Sequence, residues 1–160
     1  EPPLDGYEAS FEDWQTKKKG KYPFQLVTVH YGRRSHSVFD NIPQLREAYP
    51  QDFVMNTRDG QALGLRDGDT VLIESAYGKC IRPLTLTESV MPGVVILGEG
   101  AWVELDEETG IDKAGAANVL CGPRLSGQGE EPWNTTLVRV EKYQGEPLEP
   151  DAQWEQRIVF

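Results

Sequence analysis

The chain has 160 residues, with 16 Lys and Arg against 26 Asp and Glu, a formal net charge of −10 and a pI near 4.7. An apolar content of 38% with 9% aromatics supports one domain with a core, which excludes a wholly disordered chain, a collagen and a coiled coil. The acidic balance excludes general nucleic-acid binding, and no apolar run approaches the ~20 residues of a membrane-spanning helix.

Residues 1–20 mix prolines, acids and the run Lys17-Lys18-Lys19, and they read as a linker entering a domain. The acidic start carries no signal-peptide pattern, and a beginning at Glu1-Pro2-Pro3 reads as the edge of a fragment. Gln25 to Tyr31 is rich in β-branched and aromatic residues and predicts a strand. Asp40 to Tyr49 offers a polar cap, an early proline and good helix formers, with Pro50 to stop it, and predicts one short helix. Asp52 to Asn56 predicts a second strand, followed by a helical turn over Thr57 to Leu63 that Gly64 closes. Asp67-Gly68 makes a turn before the strand Thr70 to Ser75, and Tyr77-Gly78 turns the chain again. Lys79 to Glu88 is the hairpin partner, with Pro83 marking a bulge or an edge position. Val94 to Leu97 is a continuous apolar strand suited to the interior of a barrel or sandwich, and Thr135 to Tyr143 restores alternation as the last strand. Between them, Gly98 to Gln128 is a long glycine-rich excursion, and excursions of that length in compact domains are functional or disordered. The tail from Gln144 to Phe160 is acidic and wraps the surface or a neighbouring domain. The pattern is mainly β.

Charge is unevenly spread. Between Trp14 and Phe39 stand Lys17, Lys18, Lys19, Lys21, Arg33 and Arg34 with no Asp or Glu. The lysines suit a solvated linker. Both histidines of the chain, His30 and His36, lie in the same island with Gly32, Ser35 and Ser37, directly after the first strand. Arginine forks onto phosphate, and serine hydroxyls with loop N–H groups complete an oxyanion cradle, so this loop is a candidate anion site. Asn118, Arg124, Ser126 and Gln128 add polar groups from the long excursion.

Several other chemistries find no support. Gly98-Glu99-Gly100 is too short for a nucleotide loop, and its acid opposes phosphate. His36 beside Ser37 does not make a nucleophile and base, and no elbow motif surrounds a serine. Cys80 and Cys121 form no CxxC and read as buried thiols, and Asn134-Thr135-Thr136 is a chance glycosylation triplet.

An ordered series of segments carries more information. Leu26-Val-Thr-Val-His30 runs into Arg33-Arg-Ser-His-Ser37, and Asn56-Thr-Arg-Asp59 runs into Leu63-Gly-Leu-Arg-Asp-Gly-Asp-Thr-Val71; then come Pro92-Gly-Val-Val95, Gly98-Glu-Gly-Ala-Trp102, Asn118-Val-Leu120 and Leu137-Val-Arg-Val-Glu-Lys142. The series resembles the C-terminal cofactor-binding domain of the dimethyl sulfoxide reductase family of molybdenum enzymes, from about Pro23 to Lys142. Gly98-Glu-Gly-Ala-Trp102 with Asp112-Lys-Ala-Gly115 and Asn118-Val-Leu120 looks most like the catalytic subunit of the anaerobic dimethyl sulfoxide reductases.

The resemblance implies a double-psi β-barrel over residues 21–143 with short helices and a long cofactor-facing loop, flanked by the linker 1–20 and the tail 144–160. It implies a fragment without catalytic residues, forming one wall of the cleft that holds bis(molybdopterin guanine dinucleotide) with molybdenum or tungsten. The metal's ligand and the iron–sulfur cysteines belong upstream, and no residue of this chain is read as a metal ligand. Carried over by position, His30 and the loop Gly32, Arg33, Arg34, His36 and Ser37 match the first cofactor-contacting loop. Asn56 and Asp59 match a segment approaching a nucleotide, where a carboxylate would accept from guanine. Asn118 matches the asparagine facing the pterin, and Arg124, Ser126 and Gln128 extend it. Thr57 stands where proline is frequent and Gly60 where alanine is usual, which loosens the geometry at Asp59. For the parent the resemblance implies an oxidoreductase of anaerobic respiration that reduces S-oxides or N-oxides by two-electron oxygen-atom transfer. Its expected partners are the remaining domains, an iron–sulfur electron-transfer subunit and a membrane anchor, in the bacterial periplasm or at the cytoplasmic membrane, without direct insertion of this chain. An alternative from another class is a stand-alone double-psi barrel serving as a protein-interaction adaptor.

Overall fold

In the computed structural model, residues 20–123, 129 and 133–149 are described. The β-branched and aromatic runs form strands β1 Phe24–Val29, β2 Phe53–Asn56, β3 Thr70–Glu74, β4 Lys79–Thr87, β5 Val94–Gly98, β6 Ile111–Asp112 and β7 Leu137–Lys142. The helices are α1 Pro43–Ala48 and α2 Thr57–Ala62. The strand order β2-β5-β1-β7-β3-β4 closes on itself because β4 also pairs with β2. The result is a six-stranded barrel, mainly β, to whose fourth strand the two-residue β6 is added in parallel.

Two of the barrel's pairings are parallel, β1 with β5 and β2 with β4, and the remaining four are antiparallel. A parallel pair cannot be joined by a tight turn. The chain therefore brings residues 25–29 against 94–98 only after completing three other strands, and this crossover carries the loop after β1 to the same end as the loop after β5.

Alternation fills the interior. Leu26, Phe53, Met55, Val71, Ile73, Val95, Leu97 and Val138 are each 0% exposed and pack into one cluster. The continuous apolar run of β5 is resolved by this pleat: Val95 and Leu97 are inside, whereas Val94 and Ile96 are only partly covered. Pro83 sits on β4 between the residues that pair with β6, Lys79 and Cys80, and those that pair with β2, Leu84 to Thr87. Its missing N–H thus falls in the gap where that side of the strand has no partner, a local edge position, as the sequence allows. Cys80 is buried as expected, and burial raises its thiol pKa beyond the usual range, but Cys121 is only half-buried.

Helix α1 begins at Pro43 with Ile42 as its cap and no side-chain capping bond, so Asp40 does not play the expected role. Asp40 is fully buried and is used elsewhere. Helix α2 is capped by Asn56, whose Oδ1 accepts from the Arg58 N–H at 2.9 Å, and Gly64 beyond its end has φ +70°, as the sequence predicts. Within the tail, Leu148 N–H donates to Thr70 Oγ1 at 3.2 Å, which lays residues 144–149 against the β3 side of the barrel.

Replacing the fully buried Val71 with Asp places an uncompensated charge in this core and is expected to abolish cooperative folding, whereas a urea melt resembling that of the parent chain would refute the β3 assignment. A second expectation concerns acid. Asp106 is held well below the usual carboxylate range by hydrogen bonds from Lys113 and Thr109, and Asp69 by Lys142 and the Arg66 N–H. Desolvation works against the Glu74 carboxylate, but the Arg139 hydrogen bond and charge outweigh it and lower its pKa. Depressed folded-state values contribute stability above the unfolded pKa, so stability is expected to fall as the pH drops below the ordinary carboxylate range; a melting temperature that holds or rises on acidification would contradict this.

Candidate functional site

Strands β1 and β5 end in register at Val29 and Gly98, and Glu99 N–H continues the pairing by donating to the Val29 carbonyl at 3.0 Å. The segments 30–40 and 99–102 therefore leave the barrel side by side. Gly100 makes their contact possible: its φ is +86°, and a Cβ there would run into the carbonyl of His36. His36 itself has φ +52° and Phe39 +76°, conformations that non-glycine residues adopt only when their surroundings impose them.

The surroundings are a buried charge cluster. Asp40 Oδ1 accepts from Arg34 Nη1 at 2.7 Å and from Arg33 Nη2 at 3.3 Å, while Arg46 Nη2 lies 3.6 Å from Oδ2 and its Nε donates to the Asp40 carbonyl at 2.6 Å. Asp40 Oδ2 also accepts from the Trp102 N–H at 3.1 Å, and Trp102 Nε1 donates to the Ser37 carbonyl at 2.8 Å. Arg34 donates further to Gln51 Oε1 at 2.6 Å and twice to the Glu99 carbonyl. Burial pushes the Arg34 guanidinium below its ordinary pKa, and the hydrogen bond and charge of Asp40 act against that. Three guanidinium groups thus converge on the one Asp40 carboxylate beneath the loop.

The expectation of an exposed basic loop is thus corrected for Arg33 and Arg34, which are 5% and 8% exposed. Their heads are turned inward by Asp40 and fix the loop. Gly32 is exposed, and a Cβ there would meet only the Tyr49 ring at ordinary contact distance, so no close approach requires glycine. His30, His36 and Ser37 are exposed on the outer side.

A cavity of about 180 Å³ opens between these loops and the 3-10 turn Ala117–Val119, lined among others by Thr28, His36, Ser37, Glu99, Asn118 and Trp133. Asn118 is exposed and its amide makes no hydrogen bond to another described residue. The turn that carries it is anchored by Asp112, fully buried, which accepts from the N–H groups of Glu104, Ala114 and Ala116. Gln51 Nε2 then ties the Gly115 carbonyl, at 2.9 Å, to the rest of the charge cluster. Asn134, from the discounted triplet, closes the other rim: its Oδ1 accepts from the Thr28 N–H at 3.0 Å, beside Trp133.

The structure does not bring Asn56 and Asp59 to this cavity. Strand β2 runs antiparallel to β5 with Met55 opposite Val95, so Asn56 lies level with the start of β5, at the opposite end from Glu99. Asn56 Nδ2 donates to the Val90 carbonyl at 2.6 Å, and Asp59 Oδ2 accepts from the Gly93 N–H at 2.6 Å. Both side chains hold the turn before β5. The predicted contacts Arg124, Ser126 and Gln128 lie outside the described residues. Asp40, Gln51, Glu99 and Trp102 were not singled out as site residues in the sequence. Glu99 and Trp102 lie in a quoted segment, Gly98 to Trp102, and the acid between two glycines was the available signal.

Asp40→Asn removes the carboxylate that three guanidinium groups share and is expected to destabilise the chain by about 3–5 kcal/mol in urea unfolding. A change within ~0.5 kcal/mol, the range of ordinary surface substitutions, would show the cluster to be dispensable.

Comparison with known proteins places this geometry. A family model described as "Molydopterin dinucleotide binding domain" matches residues 24–136, which include β1 and reach the threshold of β7. Dimethyl sulfoxide reductase DmsA of Escherichia coli is 40% identical over 141 residues, covering 88% of this chain and 17% of the relative. Trimethylamine-N-oxide reductase 1 of the same organism is 34% identical over 135 residues, covering 78% of this chain and 16% of the relative. The chain therefore spans less than one fifth of the curated relatives it matches. Acetylene hydratase from Pelobacter acetylenicus superposes with a TM-score of 0.71 at 21% identity, over 88% of this chain and 21% of that one, which is a likeness of fold. The barrel, the loops gathered over its charge cluster and these matches together show that the chain belongs to the molybdopterin dinucleotide-binding domain family, in the branch of the dimethyl sulfoxide and trimethylamine-N-oxide reductases.

Proposed function

We propose that the chain forms one wall of the cleft for bis(molybdopterin guanine dinucleotide) in a bacterial molybdenum reductase of S-oxides or N-oxides. The observation that carries this reading is the buried cluster of three arginines beneath loops whose polar groups, Ser37 and Asn118, face one cavity. A dinucleotide is anionic at its pyrophosphate and rich in hydrogen-bonding edges, so a loop with hydroxyl and amide groups at its surface fits it. Arg33, Arg34 and Arg46 fix the loop from within, while His36, Ser37 and Asn118 supply contacts at the surface. When bound, the cofactor supplies the two-electron redox chemistry of oxygen-atom transfer, and the protein holds and orients it.

The cavity is too small for such a ligand and is one wall of a larger cleft. Val38, Phe39, Val103 and Leu105, all near or above half exposed, border the loops and suit burial by the remaining domains of a catalytic subunit, here residues 21–143 acting with 1–20 as linker and 144–160 as tail. An iron–sulfur electron-transfer subunit and a membrane anchor complete the proposed parent, at the periplasmic or cytoplasmic-membrane surface. Among the described residues no helix is long and apolar enough to cross a membrane, which leaves anchoring to partners in this reading. The matches to reductase subunits favour the cofactor domain over an adaptor barrel.

The test is an amide-shift titration of the 160-residue chain with GDP, a surrogate for the guanine dinucleotide half. Shifts are expected at residues 30–37, 99–100 and 117–121 and not at Asn56 or Asp59, and Asn118→Asp, which adds a like charge to the cavity, is expected to weaken them. Shifts confined to the 56–59 end, or none at millimolar GDP, would count against this wall.

A further inference from the structure

The side of the cavity next to β1 holds a cluster that goes beyond the dinucleotide reading, which takes His36 as a surface contact and leaves the Glu99 carboxylate unassigned. Glu99 Oε1 lies 2.7 Å from His30 Nδ1 and 3.2 Å from His36 Nδ1, and one ligand atom from each residue lies within 4.8 Å of the other two. The two imidazoles meet edge to face, with centroids 5.4 Å apart and planes at 66°, so that their nitrogens turn toward the same carboxylate. They are the only histidines in the chain.

Three features distinguish this arrangement from a chance meeting of surface groups. Both imidazoles are largely exposed, 83% and 73% at the side chain, so burial against neighbours does not explain why they converge, whereas the carboxylate is 18% exposed. Glu99 is spared by the nearby arginines: Arg34 donates twice to its carbonyl oxygen, yet no described arginine reaches its carboxylate. His36 presents its ring from a left-handed backbone kept in place by the Gly100 approach. Strained backbone that survives in a fold is concentrated where a group must be aimed.

We propose that His30, His36 and Glu99 form a three-ligand site for a divalent first-row transition cation, with zinc as the fitting probe. Two imidazoles and a carboxylate suit zinc, and bonds of about 2.0–2.2 Å in tetrahedral geometry separate the ligand atoms by roughly 3.3 Å. The ligand atoms of this cluster already lie within 4.8 Å of one another. The carboxylate is rigid because its residue continues the β1–β5 pairing, and the histidines close on it from the loop above. Three protein ligands leave a fourth position open toward the cavity that His36 and Glu99 line. The proposal does not depend on the cofactor reading, because the ligands all belong to this chain.

The experiment is calorimetric titration of the 160-residue chain with zinc, without nucleotide, alongside cobalt absorption spectra and the imidazole nitrogen signals of the two histidines. One equivalent is expected to bind with micromolar or tighter affinity, to shift both imidazoles, and to give the intense visible bands of four-coordinate cobalt. His30→Ala, at an exposed side chain, and Glu99→Gln, which keeps the side-chain shape, are each expected to weaken binding at least tenfold while the circular dichroism spectrum is retained. His36→Asn, which tolerates the left-handed backbone, is expected to do the same. No binding, or binding that survives His30→Ala and Glu99→Gln undiminished, would overturn the site and leave the three groups as a surface cluster of two imidazoles beside a carboxylate. Metal binding without GDP shifts, or GDP shifts without metal binding, separates the fate of this proposal from that of the cofactor reading.

Discussion

One carboxylate holds the working end of the barrel together. Asp40 is fully buried, and around it gather three guanidinium groups and the backbone of Trp102. Remove its charge and the arginines repel one another in a low-dielectric pocket; leave it, and the loop from Tyr31 to Asp40 is drawn down onto the barrel with its backbone forced through two left-handed positions. The exposed faces of His36 and Ser37 follow from that inward pull. Gln51 extends it, since one amide joins Arg34 to the carbonyls of Gly98 and Gly115, and so sets the heights of three separate loops against each other.

The cluster works because of where the barrel puts it. Parallel pairing of β1 with β5 makes two loops leave from one end, although some 70 residues of chain separate them. The 3-10 turn carrying Asn118 reaches the same end by another route, through Asp112, which satisfies three loop N–H groups at once. The described part of the long excursion, with only a two-residue strand and one 3-10 turn, thereby acquires fixed geometry, because buried side chains pair backbone groups that no long sheet ladder reaches.

Much of this was legible in the residues. Strand runs such as Leu26 to Val29 and Thr70 to Glu74 carry a local signal, and Gly64 and Gly68 are where the chain needs positive φ. The family resemblance, being a property of segments in order, was legible too. What failed were inferences about the direction a side chain faces. Arg33 and Arg34 read as surface cations because their linear neighbourhood lacks acids; the partner, Asp40, stands six and seven residues on and was read as a helix cap. Asn56 and Asp59 were assigned by position in the family resemblance, and in the folded chain their side chains hold the turn at Val90 to Gly93, away from the cavity. Glu99 was discounted as repelling phosphate, and only the folded chain shows that two distant histidines meet it. Contacts across tens of residues leave no trace in local pattern.

Closure of the barrel has a consequence for how the chain behaves in company. A sheet with free edges exposes rows of unpaired N–H and C=O groups that recruit further strands. Here all six barrel strands have neighbours on both sides, and among the described residues the outermost strand is the two-residue β6, too short to template another chain. Among the described residues, self-association is therefore favoured through exposed apolar side chains such as Val38, Phe39, Val103 and Leu105, a stickiness that mild detergent disperses, over growth from a strand edge.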